Sequence, residues 1–119
     1  MSKLLVNLTT AKDNPDKTVV AFVIANAALA AEQEVVVFLN IEAVRLAIRG
    51  YGDNITSEGF KPLKELLEFY LENGGKLWVC PPCFNARGLD EEQMIPEATF
   101  AGGAPVVEFL AQDASCISY

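Results

Sequence analysis

"EVVVFL", Glu34 to Leu39, is, after its first residue, an unbroken apolar run rich in β-branched side chains. A strand with one face in water alternates apolar and polar residues. This one does not, so it reads as a strand covered on both faces, as in a parallel sheet packed between helices. "KLLVNL" (Lys3 to Leu8) reads as a strand before it, and "KLWVC" (Lys76 to Cys80) as a strong strand after it.

Helical patterns separate these runs. A polar loop, Thr9 to Lys17, contains Pro15, and Thr18 to about Gln33 then reads as a helix apolar around most of its circumference. Asn40 is placed to cap a second helix, in which Ile41, Val44, Ile48 and Tyr51 recur at helical spacing. After a glycine-rich loop from Gly50 to Gly59, Pro62 opens an amphipathic helix with Leu63, Leu66, Leu67, Tyr70 and Leu71 on one face. Asn73-Gly74-Gly75 stops it. Beyond the third strand, Asp90-x-x-Gln93 resembles a capping box for a short helix. "ATFAG" reads as a short strand, Pro105 to about Gln112 as a last helix, and "SCISY" as a terminal strand. The expected fold is α/β: a three-layer, open, mostly parallel five-stranded sheet with helices on both faces, forming a single domain over residues 1–119.

Composition narrows the chemistry. The formal charge is −7 with no basic block, which disfavours nucleic acid and anionic membranes as partners. The longest apolar stretch, Val19 to Ala31, is too short to span a bilayer, and no signal peptide is evident, so a cytoplasmic location is expected. Hydrophobic residues make up 51% of the chain and mean hydropathy is +0.24. For so small a domain, that excess points to apolar surface buried against another subunit. There is no histidine, which removes every Ser-His, Cys-His and His-metal mechanism.

Two of the three cysteines flank a pair of prolines in "CPPC", Cys80 to Cys83. An odd cysteine count makes a poor disulfide framework, so thiols in a reducing compartment are expected. Cys80 falls at the carboxyl end of the third strand, where open α/β sheets place their reactive groups. Backbone N–H groups of the turn-like segment after it could face the sulfur and stabilise a thiolate, with Arg87 adding to the effect. Cys83 reads equally as a resolving thiol or a packed one. Extended prolines would hold the two cysteines roughly 9 Å apart, beyond the reach of a disulfide at about 7 Å; prolines in the first turn of a helix would bring them together. Cys116, early in the terminal strand, reads as a core residue. One C-x-x-C without further ligands makes a poor metal site. "GYGDNI" follows a helix and lacks the third glycine of a dinucleotide fingerprint.

In the order of its elements the chain resembles the DsrE/DsrF-like proteins along nearly its whole length. The resemblance is carried by the small-residue helix "VVAFVIANAALAA", by "VVVFLNIEAVRLAIRG", and by "PLKELLEFYLENGGKLWVCPPC" followed by "RGL". Cys80 and Arg87-Gly88 match the family's spacing of a strand-end cysteine eight residues before the glycine of an Arg-Gly pair; Cys83 does not. Gln33 stands where a glycine commonly precedes the second strand.

The resemblance implies a homotrimer or homohexamer that takes sulfane sulfur on Cys80 as a persulfide. It implies transfer to a partner thiol, with sulfur donor and acceptor proteins and no cofactor or metal. The peroxiredoxin Thr-x-x-Cys context is absent, because Leu77 stands three residues before Cys80. Two other functions fit the residues: a thiol–disulfide redox protein using Cys80 and Cys83, and a non-catalytic assembly module.

Overall fold

The computed structural model describes residues 1–119. Five strands, β1 (Lys3–Leu8), β2 (Glu34–Leu39), β3 (Lys76–Val79), β4 (Ala98–Phe100) and β5 (Ser115–Ser118), form one sheet in the order β4-β3-β2-β1-β5. Every pairing is parallel. The expected fold class is the observed one. No helix is long and apolar enough to cross a membrane.

The two faces are unequally covered. Val6, Leu8, Val35, Val37, Leu39, Leu77 and Val79 point to the larger core, beneath α1 (Pro15–Ala30), α2 (Leu63–Glu72) and α3 (Pro81–Ala86). Leu5 and Val36 point the other way and meet only α4 (Gly103–Leu110), through Phe109. Phe109 also stacks edge-on against Trp78, with ring centroids 5.9 Å apart. Central β2 is buried on both sides, which is why its sequence does not alternate.

Several elements depart from the sequence reading, each for a local reason. Pro15 lies inside the first helix rather than in the loop before it. Its missing N–H costs nothing at the first helical position, and Asn14 Oδ1 caps the Lys17 amide at 3.2 Å. That helix ends at Ala30, short of Gln33, because Glu32 turns left-handed with φ 63°. α4 likewise starts and stops two residues early, at Gly103 and Leu110.

The segment after β2 is a 3-10 helix, Ile41–Ala47, not an α-helix. It starts from Ile41 in the left-handed region, φ 55°, where a β-branched residue carries strain of roughly 1–3 kcal/mol. Asn40 does not cap it; its side-chain amide donates instead to Asn7 Oδ1 at 2.7 Å. Backbone bonds from Arg49 to Gln93 and from Ile95 to Ala47 clamp the end of this helix to the stretch that follows α3. Asp90 does cap a short 3-10 turn, Glu91–Gln93, by accepting from the Glu92 amide at 2.9 Å.

Tyr70 links helix to sheet. Its buried hydroxyl donates to the Lys76 carbonyl at 2.6 Å and accepts from the Val37 amide at 3.1 Å, bridging β2 and β3 where their ladder begins. Tyr70→Phe leaves both backbone groups without their partner in a dry site. We expect a loss of about 2 kcal/mol of stability, read by urea unfolding; an unchanged midpoint would mean that the sheet closes over the gap.

Candidate functional site

The connections leaving β3 and β4 part company. The chain after β3 turns onto the larger core as α3, whereas the chain after β4 crosses to the opposite face as α4. Adjacent strands whose connections diverge leave a crevice at their carboxyl ends; here Pro81 and Phe84 of α3 line a cleft with Phe100, and Cys80 directly precedes Pro81. Its amide donates to the Leu39 carbonyl at 3.0 Å, which fixes the residue against the end of β2.

Pro81 and Pro82 occupy the first two positions of α3, with Cys80 as the N-terminal flanking residue. The prolines are helical rather than extended. Positions three apart on a helical turn lie about 5–6 Å from each other, so Cys80 and Cys83 are brought together. Both are half-buried free thiols.

The prolines also remove two N–H donors from the start of the helix. Of the next two amides, Phe84's is taken by the Cys80 carbonyl at 3.1 Å. Only the Cys83 N–H is left to face the Cys80 sulfur.

This environment does not produce the stabilised thiolate that the sequence suggests. Burial pushes the Cys80 thiol above its ordinary pKa, the Cys83 amide pulls it back, and the neighbouring Cys83 thiol raises it again. Arg87 lowers it least of all these groups. The reason is geometric: Arg87 Nε is spent on Glu42 Oε2 at 2.5 Å, and its Nη1 donates to the Cys83 carbonyl at 3.2 Å.

Glu42 is the site residue that sequence reasoning missed. Its other oxygen meets Arg45 Nε at 2.9 Å, and the Arg87 and Arg45 hydrogen bonds hold its carboxyl below the ordinary range. Glu42 and Arg45 are three residues apart, a spacing that the 3-10 helix brings into line. The pairing with Arg87 spans forty-five positions and leaves no local signature.

Cys116 corrects another expectation. It is exposed on edge strand β5, far along the sheet from Cys80 and outside the core. The structure gathers Cys80, Cys83 and Arg87 at one strand end and leaves Cys116 out of it. No cluster of three or more cysteine or acidic side chains is placed to hold a metal ion.

The fold is thus an all-parallel α/β sheet with two half-buried cysteines at its carboxyl edge. The sequence model of the DsrE/DsrF-like family matches residues 2–119, and the chain belongs to that family. Escherichia coli YchN shares the fold with a TM-score of 0.82 at 18% identity, each chain covered fully. MTH1491 of Methanobacterium thermoautotrophicum does so at 0.79 and 12% identity, again over both whole chains. In sequence, the Methanocaldococcus jannaschii protein MJ0760 is 26% identical over 112 residues, which is 94% of this chain but 41% of MJ0760. The chain thus spans less than half of that curated relative.

Proposed function

We propose that this protein carries sulfane sulfur on Cys80 and hands it to the thiol of a partner protein. The observation that carries the reading is the placement of Cys80 at a strand's carboxyl end, beside the crevice between diverging connections, in a chain of the DsrE/DsrF-like family. The Cys80 thiolate attacks the outer sulfur of a donor persulfide, forming a new S–S bond while the donor leaves as a thiolate. An acceptor thiolate then attacks that outer sulfur, and Cys80 departs as a thiolate. The sulfur stays at one oxidation level throughout, so no external oxidant or reductant enters. The elevated thiol suits holding rather than rapid release, because a more basic thiolate is a slower leaving group.

Assembly into a homotrimer or homohexamer belongs to the same proposal. It is supported by the sheet face that only α4 covers, where Phe38 and Trp78 remain partly open and Val107 on α4 is 66% exposed.

One observation favours a second reading, a Cys80–Cys83 redox pair: the helical prolines bring the two thiols together. Intact-mass spectrometry after incubation with a sulfane-sulfur donor separates the two. One added sulfur, mapped to the peptide containing Cys80 and retained in Cys83→Ser, is the expected result. Loss of two hydrogens with no sulfur gained would replace the carrier by the redox pair.

A further inference from the structure

The turn between β2 and the 3-10 helix aims an acidic side chain at the cysteine site. Ile41 is held in a left-handed conformation that a β-branched residue rarely adopts, and its side chain is 48% exposed, so packing of that side chain does not account for the backbone. What the turn accomplishes is the direction of the next residue, Glu42, whose two oxygens each take one guanidinium nitrogen. Arg87 is thereby fixed between Glu42 and the Cys83 carbonyl, within the electrostatic reach of Cys80 but turned to other partners.

We propose that Glu42 is a positioning residue that holds the Arg87 guanidinium off the Cys80 sulfur, and that removing its carboxylate turns Arg87 onto the thiolate. Thiol reactivity is then set by the far end of an ion pair, not by the cysteine's immediate neighbours alone. The ionisable groups that bear on the sulfur are Cys83 and Arg87 from the segment that follows it. Glu42 and Arg45, on the 3-10 helix packed beside α3, act on it through Arg87. The functional meaning rests on Cys80 being the sulfur-carrying thiol.

The test is the pH profile of Cys80 alkylation by iodoacetamide, in a Cys83→Ser, Cys116→Ser background where one thiol reports. Glu42→Gln is expected to lower the profile's midpoint by about half a unit, a modest shift because the pair is partly exposed. That gives about threefold more thiolate at pH 7, yet only about a twofold faster reaction, since a less basic thiolate is a weaker nucleophile. Glu42→Ala, which keeps no oxygen for Arg87, should shift the midpoint at least as far. Adding Arg87→Gln to either should cancel the fall and leave the midpoint at or slightly above its starting value, because Arg87 already lowers it a little; a merely structural role for Glu42 would not do this. A midpoint that stays or rises on removing Glu42, or that falls equally without Arg87, would overturn the proposal. The Glu42 side chain is about one-third exposed, and unfolding midpoints check that the variants are folded. No sulfur donor is used, so failure here leaves sulfur carriage standing, and failed sulfur uptake leaves this result intact.

Discussion

Cys80→Ser is expected to leave the protein folded and unable to take up sulfur. Serine matches cysteine in shape, and Cys80 is half-buried in contact with the core. The unfolding free energy should therefore change by less than about 1 kcal/mol. Sulfur uptake should nonetheless fall to background. An S–S bond requires sulfur at the attacking position, and nothing nearby would activate a hydroxyl as a substitute nucleophile. The chain has no histidine, and the ionisable groups bearing on this position are a thiol and a guanidinium. Cys83→Ser should keep most of the uptake. Uptake surviving in Cys80→Ser but lost in Cys83→Ser would move the carrier by three residues.

The largest effect on stability is expected at Gly75, where no cavity and no chemistry are involved. After α2 the chain folds back over the ring of Tyr70, and a Cβ added at Gly75 would lie 2.3 Å from Cε1 and Cζ of that ring. The ring is fully buried, packs edge-on against Phe22 at 5.6 Å, and is held by its hydroxyl between two strands. It has nowhere to go. Gly75→Ala should cost about 3 kcal/mol, the upper range for overpacking, and lower the urea midpoint accordingly. Gly103→Ala is the control: it opens α4, has no heavy atom within 4 Å of its added Cβ, and should be neutral or stabilising by a few tenths of a kcal/mol. Equal effects at the two glycines would mean that the Tyr70 contact does not set the outcome.

The fold was legible where residue pattern and burial share a cause. The uninterrupted apolar character of Val35, Val36 and Val37 reports two covered faces, and Leu63, Tyr70 and Leu71 fall on one side of α2 as their spacing requires. The strand order was not legible, because it depends on which strand edges meet after collapse. The 3-10 helix was missed for a related reason. Ile41, Val44 and Ile48 satisfy an α-helical spacing, but the left-handed backbone at Ile41 and the clamp to residues 93–95 are tertiary facts. At the site, Cys80 could be found from its place after a strand. The state of its thiol could not, because Arg87 is drawn away by Glu42, a residue forty-five positions upstream. Cys116 misled because its place in a strand does not reveal that the strand lies at an exposed edge of the sheet.

The double proline has a consequence for how fast and how tightly a partner is met. Two consecutive rings hold φ near its helical value before any encounter takes place. The loop bearing the thiol therefore has little disorder left to lose on docking. Association should carry a small entropic penalty from this side of the interface, leaving the partner's own thiol-bearing segment to supply most of the ordering.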